Sequence, residues 1–247
     1  MTLAECAPSL RHTDVFGESW DGRQVAVVGL GRSGLAAATL LCRMGARVRA
    51  TEARDTAELR AARDALHTLG VEEVEVGGHS RRLIEGAECV VVSPGVPESA
   101  GPIQWAAQEQ LPILSEIEIA FRFCPSTIVA VTGTNGKSTA VSLIAELLRL
   151  SGRPAIGCGN LGIPFSSVIG RLAPHTIVVL EVSSFQLLWC DRFRPKIGVL
   201  LNISTNHLDR HEHAHAYRSA KANLFRRQTP EDWAVLNGRD PHIVALG

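Results

Sequence analysis

The chain has 247 residues, of which 45% are hydrophobic and 20% charged, enough for one large or two ordinary domains with substantial cores. Its 25 Lys and Arg residues balance 25 Asp and Glu residues, so the formal net charge is zero. This balance excludes the electrostatic footprint expected for binding nucleic acid or an anionic membrane, and any phosphate recognition must therefore be local.

Short β-branched runs alternate with helical patterns, which predicts an α/β fold with parallel sheets. We assign residues 1–122 to a first, Rossmann-like domain. Its predicted elements in chain order are a strand at 24–28, a helix at 33–44, a strand at 47–51, a helix at 56–69, a strand at 89–93, a helix at 103–109, a strand at 113–115 and a helix at 116–122.

A short linker that includes Pro125 begins the second domain, which we assign to residues 123–247. Its predicted elements are strands at 127–132, 176–180, 197–201 and 233–237, and a helix at 137–150. The strand at 233–237 has the composition of a mid-sheet strand, yet only ten residues follow it. We therefore expect the second domain to be incomplete in this sequence.

A glycine-rich loop follows the first strand of the second domain. The segment Gly133-Thr134-Asn135-Gly136-Lys137-Ser138-Thr139 leads into a helix. Its glycines let backbone N–H groups converge on phosphate oxygens, Lys137 can reach the β- and γ-phosphates, and the Ser138 hydroxyl can bind Mg²⁺. Val131 occupies the first glycine position of the usual phosphate-loop spacing, so the motif has the compact form G-x-x-G-K-S. The alternative is an ordinary glycine turn with an exposed lysine.

The first domain carries a second glycine loop, Gly29-Leu30-Gly31-Arg32-Ser33-Gly34, also between a strand and a helix. Glu52 ends the next strand, 18 residues after Gly34, where a ribose-binding carboxylate is expected. The spacing favours a dinucleotide, but any diphosphate nucleotide would satisfy the same donors. A pure packing role for the glycines also remains open.

Polar residues follow two predicted strands of the second domain. Glu181 lies at a strand's carboxyl end, where a carboxylate could hold Mg²⁺ or be an ordinary surface residue. His207 and His211 lie four residues apart, but no zinc motif accompanies them, and we expect His207 to act near the phosphates. Lys221, by its own sequence context, is interpreted as a surface lysine on a helix.

These segments resemble those of the Mur ligases, from about Gly22 to the last residue, and most closely the D-glutamate-adding branch. The motifs that carry the resemblance are Gly29–Gly34, Ser93–Val96, Gly133–Thr139, Gly159–Gly162, Glu181–Leu187, Asn202–Arg210 and Tyr217–Lys221. The resemblance implies a cytoplasmic ATP-dependent ligase of peptidoglycan precursor synthesis, involved in cell wall biogenesis, cell shape and division. It would join D-glutamate to UDP-N-acetylmuramoyl-L-alanine through an acyl phosphate, releasing ADP and phosphate.

The resemblance also implies roles for individual residues. The residues implied for UDP-substrate binding are Arg32, Ser33, Glu52, Arg54, Gly95, Asn160 and Ser183. Those implied for ATP are Gly133, Thr134, Asn135, Gly136, Lys137, Ser138 and Thr139. The implied catalytic residues are Lys137, Glu181, His207 and Lys221, and those implied to bind two Mg²⁺ ions are Ser138, Glu181, His207 and Lys221. Lys221 matches a lysine that the family carbamylates.

Two residues depart from the family pattern, since Asn206 replaces an Asp before the histidine and Ala53 replaces a polar residue near the nucleotide. The third domain of the family is expected to be missing, so this chain should bind UDP-substrate without turning over. A monomer is expected. Rival interpretations are an NAD-dependent oxidoreductase, a folylpolyglutamate synthase and a non-catalytic nucleotide-binding module.

The six cysteines are widely spread without a Cys-x-x-Cys pair, which favours reduced core residues in the cytoplasm. The N-terminus carries acidic residues and lacks a long apolar stretch, so we predict no secretory signal. No segment approaches the roughly 20 apolar residues that span a bilayer, so we expect no membrane partner.

Overall fold

The structure is a computed structural model, and it describes residues 12–160, 162–173, 175–204 and 214–244. The chain divides into two compact units. Unit 1 comprises Met1–Cys124 together with Phe165–Arg171, and unit 2 comprises Pro125–Pro164 together with Leu172–Gly247.

Unit 1 is a parallel sheet with helices between its strands. Its strands are β1 (Gln24–Val28), β2 (Arg47–Glu52), β3 (Glu73–Val76), β4 (Cys89–Val92) and β5 (Ile113–Ser115). Its helices are α1 (Arg32–Arg43), α2 (Ala57–Thr68), α3 (Gly101–Gln108) and α4 (Glu116–Arg122). The strand order is β3-β2-β1-β4-β5, so β1 is central, and the apolar runs of β1 and its neighbour β4 lie in the buried core of the unit.

Side-chain caps fix where two helices of unit 1 begin. Thr56 accepts a hydrogen bond from the Leu59 N–H at the start of α2, and Ser115 accepts one from the Glu118 N–H at the start of α4. Each cap satisfies one of the N–H groups that a first helical turn leaves without a partner. The sequence places these helices correctly because such caps are local signals.

Unit 2 is a second parallel α/β sheet. Its strands are β6 (Ile128–Thr132), β7 (Ala155–Gly159), β8 (Ile177–Glu181), β9 (Ile197–Leu200) and β10 (Trp233–Leu236), in the order β10-β9-β6-β8-β7. Its helices are α5 (Lys137–Leu150), α6 (Ser184–Leu188), α7 (Ala214–Ala222) and α8 (Pro241–Val244). The predicted parallel α/β class is therefore confirmed in both units.

The segment Phe165–Arg171 joins unit 1 although its neighbours in sequence belong to unit 2. Phe165 is completely buried, and the 3-10 turn that it begins packs against α1 and α4. The Ser166 N–H donates to Glu116 Oε1 at 2.5 Å. Glu116 is also completely buried, and this burial raises its pKa to about 7 although the Ser166 hydrogen bonds oppose the shift.

Three expectations about individual strands were incomplete or wrong. β3 and β7 were not predicted, because the Glu-Val-Glu-Val sequence of β3 and the two glycines of β7 lack an apolar run. β10 was predicted as a mid-sheet strand, but in the described sheet β9 is its single neighbour and its residues are exposed, with Trp233 68% exposed. An apolar sequence alone does not reveal whether other elements cover a strand.

Within the described residues, no helix has both the length and the hydropathy that a bilayer span requires.

Candidate active site

The glycine loop of unit 2 is fixed in place by the segment that follows β9. The Asn135 N–H donates to Asn202 Oδ1 at 2.9 Å, and Asn202 Nδ2 donates to the Asn135 carbonyl at 3.1 Å. The Thr134 hydroxyl accepts from the Ser204 N–H at 2.9 Å and lies 3.1 Å from the Tyr217 hydroxyl. These contacts connect the loop to the strand beside β6 and to α7, which holds its conformation before any ligand binds.

The loop opens α5 through a residue that only glycine suits. Gly136 has φ +81° at the position preceding the helix, a left-handed conformation that side chains disfavour. No side chain caps α5, so the N–H groups of its first turn face the loop's surroundings without a capping side chain. Ser138 and Thr139 lie in that turn, and this arrangement suits an anionic oxygen.

Lys137 folds back on the loop that precedes it. Its Nζ donates to the carbonyls of Gly133 at 2.9 Å and Thr134 at 3.0 Å. The side chain is half-buried, and its positive charge therefore lies directly beside the loop's glycines. An ammonium in this place can neutralise phosphate oxygens that the loop N–H groups bind.

Glu181 lies at the carboxyl end of β8, next to β6, with Val131 as its register partner. Only 2% of the residue is exposed, and its Oε1 accepts from Asn160 Nδ2 at 2.9 Å. The Asn160 N–H also donates to the Glu181 carbonyl at 2.9 Å. A side chain at Gly159 would collide with that same carbonyl, so glycine is required for the two strand ends to approach so closely.

Asn160 thus fixes the rotamer of Glu181 and occupies one of its oxygens. The other oxygen, Oε2, keeps its capacity to bind a cation. Ser183, which was expected to contact substrate, forms the capping box of α6 with Gln186, whose N–H donates to its hydroxyl at 3.3 Å. His207 lies outside the described residues.

Lys221 contradicts the surface interpretation of its sequence context. It is 1% exposed, and its Nζ donates to the Gly133 carbonyl at 3.0 Å and lies 3.4 Å from Thr132 Oγ1. The ammonium also lies 4.6 Å from the centre of the Tyr217 ring. The spacing of Tyr217 and Lys221, four residues apart on α7, was the signal that could have placed them on one face.

Burial lowers the pKa of Lys221 to about 7, and the nearby Lys137 adds to the effect. None of the ion pairs between described residues joins Lys221 to a carboxylate. About half of the amine is therefore neutral at pH 7, and this neutral form retains a lone pair and can act as a nucleophile.

The donor set includes two oxygen groups that suit magnesium. The Glu181 carboxylate and the Ser138 hydroxyl are hard oxygen ligands of the kind that Mg²⁺ prefers. The unmodified Lys221 amine carries no carboxylate oxygen with which to bind a hard cation. Among the described residues, no group of three His, Cys, Asp or Glu side chains is placed to hold a metal ion.

Close packing requires glycine at two positions of the unit 1 loop. Gly29 has φ +86°, and a Cβ there would lie 2.8 Å from Ser93 Cβ and from Val96 Cγ2. A Cβ on Gly34 would collide with the Gly29 carbonyl. Gly31, in contrast, has open space around it, and no side chain caps α1 after it. The packing role and a phosphate-binding role therefore fall on different glycines of the same loop.

Glu52 lies at the carboxyl end of β2 and is 6% exposed. Its Oε2 accepts from the Leu30 N–H at 2.9 Å, and its Oε1 accepts from the N–H and the Nε of Arg54, both at 3.1 Å. Burial raises the pKa of Glu52, but the Arg54 and Leu30 hydrogen bonds outweigh it and lower the pKa below its usual value. The carboxylate therefore stays ionised beside the loop.

The sequence-predicted residues of unit 1 lie at one edge of its sheet. Arg32 and Ser33 open α1 after β1, Arg54 follows β2, and Gly95 lies in the turn after β4 with open space around it. Asn160 and Ser183, which were grouped with them, belong to unit 2. Parallel strands collect ligand-binding groups at their carboxyl edge, which accounts for the clustering within each unit.

Comparison with known proteins identifies both units. Residues 23–115 match the Mur ligase MurD-like N-terminal domain, and residues 131–246 match the Mur ligase middle domain. The UDP-N-acetylmuramoylalanine--D-glutamate ligase of Desulfosudis oleivorans is 42% identical over 224 residues, which are 91% of this chain and 49% of that protein. The enzyme of the same name from Salinibacter ruber is 45% identical over 226 residues, 89% of this chain and 48% of that protein.

Solved structures agree at the level of the fold. One of them is the UDP-N-acetylmuramate:L-alanyl-gamma-D-glutamyl-meso-diaminopimelate ligase of Neisseria meningitides. The alignment covers 91% of this chain and 74% of that chain, with a TM-score of 0.60 and 18% sequence identity. The chain spans about half the length of the curated relatives that it matches. Because matched domains of one family follow each other along most of the sequence, the chain belongs to the Mur ligase family, with a MurD-like N-terminal domain and a Mur ligase middle domain.

Proposed function

We propose that this chain carries the UDP-substrate and ATP sites of a ligase that joins D-glutamate to UDP-N-acetylmuramoyl-L-alanine, producing ADP and phosphate in peptidoglycan precursor synthesis. One observation carries the proposal: a buried lysine, Lys221, contacts the carbonyl of Gly133 in a phosphate-binding loop of a chain whose relatives bear that ligase name. A module that only binds a nucleotide does not require a buried amine at this position.

ATP is the proposed ligand of unit 2. The seven residues from Gly133 to Thr139 would bind its phosphates through loop N–H groups, the α5 N-terminus and the Lys137 ammonium. Ser138 and Glu181 would hold Mg²⁺, and His207 and Lys221 complete the proposed ligands of two ions. Bound magnesium would offset charge on the transferred phosphoryl group.

Lys221 would bind metal as a carbamate. Its neutral amine attacks the carbon of CO₂, a C=O bond pair moves onto oxygen, and the nitrogen releases one proton to solvent. The product is a carboxylate on a lysine stem, so the charge at this position changes from positive to negative. Burial supports this step because it disfavours the ammonium form.

The residues would act mainly by positioning and electrostatics. The substrate carboxylate attacks the γ-phosphate of ATP, forming a bond to phosphorus while the bond to ADP breaks. The amine of D-glutamate then attacks the acyl phosphate and phosphate leaves. The Lys137 ammonium would offset the negative charge on the phosphoryl oxygens in both steps.

UDP-N-acetylmuramoyl-L-alanine is the proposed ligand of unit 1. Its diphosphate would lie at the N-terminus of α1, near Arg32 and Ser33, and its nucleoside near Glu52 and Arg54. We further propose that the protein works in the cytoplasm as a monomer. The oxidoreductase alternative leaves the Lys137 loop and Lys221 without a role.

Calorimetric titration of the chain tests this assignment. We expect UDP-N-acetylmuramoyl-L-alanine and Mg-ATP each to bind with one-to-one stoichiometry, and NADH not to compete with the UDP compound. The Lys137→Ala variant should bind Mg-ATP about 100-fold more weakly and keep UDP-substrate binding. Binding of NADH at unit 1 in place of the UDP compound would overturn the proposal.

A further inference from the structure

Residues 201–204, which follow β9 and which we call the β9 segment, have hydrogen-bond partners on two sides. On one side, Asn202 and Ser204 hold the glycine loop of unit 2. The Asn202 carbonyl adds a further bond to this loop, because it accepts from the Thr134 N–H at 3.0 Å. On the other side, the β9 segment contacts the turn that follows β10, so it connects that turn to the glycine loop.

Asp240 in the turn after β10 binds the backbone of the β9 segment directly. Its Oδ2 accepts from the Ile203 N–H at 2.9 Å, and its Oδ1 accepts from the His242 N–H at 2.9 Å at the start of α8. Asn237 Nδ2 donates to the Leu201 carbonyl at 3.2 Å, which adds a second contact from the same turn. The two carboxylate oxygens of Asp240 thus join the β9 segment to α8.

Apolar packing supports the same connection. Ile243 of α8 is completely buried, and it belongs to one cluster with Leu200, Ile203 and Tyr217. The Tyr217 hydroxyl lies 3.1 Å from that of Thr134, so this cluster also contacts the glycine loop. Moving α8 away from the β9 segment would expose these apolar side chains to water, and we therefore expect the two to move together.

The Asp240 side chain is held as a carboxylate. Burial raises the pKa of Asp240, but hydrogen bonds from the N–H groups of Ile203 and His242 outweigh it and lower the pKa below its usual value. A carboxylate accepts stronger hydrogen bonds from backbone N–H groups than a neutral oxygen does. The bond between Asp240 and Ile203 is therefore a strong restraint on the β9 segment.

We propose that Asp240 is a positioning residue for the glycine loop of unit 2 and that it acts through the β9 segment, whose backbone it holds. This inference rests on the proposed binding of ATP to unit 2. The loop would bind phosphates through backbone N–H groups, so its affinity depends on how closely these groups keep the binding geometry before the ligand arrives. The effect reaches ATP through Asn202 and Ser204, and it needs no contact between Asp240 and the ligand.

Three variants separate positioning from a loss of folding. Asp240→Ala removes both side-chain hydrogen bonds. Asp240→Asn keeps one oxygen that can accept from the Ile203 N–H, so it should recover part of the effect. Arg239→Ala is the matched control, because Arg239 is exposed in the same turn and donates to Asn237 through its backbone N–H, which alanine retains. Circular dichroism checks that all three variants fold.

Amide hydrogen exchange of the ligand-free chain tests whether Asp240 holds the loop. In Asp240→Ala the amides of Ser204 and Asn135 should exchange about 10-fold faster than in the wild-type chain, the equivalent of about one hydrogen bond. The amides of β6 should keep their rates, and Arg239→Ala should behave as the wild-type chain. Unchanged exchange at Asn135 in Asp240→Ala would overturn the inference.

Calorimetric titration with Mg-ATP tests whether this restraint matters for binding. Asp240→Ala should weaken Mg-ATP about fivefold, Asp240→Asn should weaken it less, and binding of UDP-N-acetylmuramoyl-L-alanine should not change. The loss should be smaller when Asn202→Ala is already present, because both residues act on the same segment.

Unchanged Mg-ATP affinity in Asp240→Ala, or full additivity with Asn202→Ala, would overturn the inference while leaving ATP binding intact. Failure of the wild-type chain to bind Mg-ATP would instead overturn the proposed function. In that case the exchange rate at Asn135 still decides whether Asp240 positions the loop.

Discussion

Each unit buries an ionisable side chain whose pKa is moved to about 7, a carboxyl group in unit 1 and an amine in unit 2. Glu116 of unit 1 and Lys221 of unit 2 are almost completely buried, and burial moves the pKa of each to about 7, upward for the carboxyl and downward for the amine. Glu116 holds the backbone of the Phe165–Arg171 segment through Ser166. Lys221 lies beside the glycine loop of unit 2, where its amine and that of Lys137 both donate to the Gly133 carbonyl.

Burying an ionisable group costs free energy in both units, but the two buried groups have different roles. A neutral carboxyl group in an apolar surrounding can join a segment to a helix without a counter-charge. A neutral amine that faces a phosphate loop remains reactive toward an electrophile such as CO₂. Burial alone therefore does not identify a functional group, and its neighbours decide between a structural and a chemical role.

The largest effect is expected at Glu116, to which we assign a structural role. The pKa of Glu116 is raised from 4.5 to about 7, so the unfolded chain releases this proton first as the pH rises. Stability should fall between pH 4.5 and 7 and then level off, because ionised Glu116 is disfavoured in the folded state. Glu116→Gln should remove this slope and stabilise unit 1 above pH 7 by about 3 kcal/mol.

Denaturant titrations between pH 4 and 8 measure this effect. Ser166→Ala is the matched control, because its backbone N–H still donates to Glu116 and the slope should persist. An identical pH slope in the Glu116→Gln variant and the wild-type chain would show that Glu116 is ionised when folded.

The next effect concerns Lys137, the half-buried lysine near Lys221. Lys137→Ala removes an ammonium from the phosphate loop, and Mg-ATP affinity should fall about 100-fold, as expected for charge-assisted hydrogen bonds. UDP-substrate binding serves as the control, since Lys137 belongs to unit 2. Equal losses for both ligands would indicate a folding defect and contradict the separate sites.

A smaller effect is expected at Asn160, which donates to Glu181. Asn160→Ala should weaken the Mg²⁺ dependence of ATP binding about 10-fold, because partners of metal ligands fix the ligand's orientation. Titrating Mg²⁺ at fixed ATP measures this directly. If Asn160 acts chiefly on the UDP-substrate, the variant should instead weaken that ligand and leave the magnesium titration unchanged.

The smallest effect is expected at Tyr217, whose ring lies beside Lys221 and whose hydroxyl lies 3.1 Å from that of Thr134. Tyr217→Phe keeps the ring and removes one neutral hydrogen bond worth about 1 kcal/mol. Mg-ATP affinity should fall about fivefold. In a double-mutant cycle with Thr134→Val the two losses should fail to add, and full additivity would show that the two hydroxyls do not interact.

The local signals of the sequence predicted much of the fold. β1, β5, α4 and α5 were predicted at the residues where they occur, because apolar runs, caps and glycine turns are encoded within a few positions. β3 and β7 were missed because their register partners, not their own composition, make them strands. The joining of Phe165–Arg171 to unit 1 could not be predicted, since it depends on packing against α1 and α4.

The residues of the candidate site were likewise predicted only where their sequence signal is local. The glycine loops and Glu181 were visible because strand ends and glycine spacing are local features. The burial of Lys221 was not, because the carbonyl it contacts, that of Gly133, lies 88 positions away in sequence.

Carbon-13 NMR of the chain in ¹³C-labelled bicarbonate tests the central claim, that Lys221 is a buried amine that becomes a carbamate beside the phosphate loop. We predict one protein-bound carbamate resonance that is absent from Lys221→Ala and present in Glu116→Gln. The absence of this resonance from the wild-type chain, or its persistence in Lys221→Ala, would contradict the account.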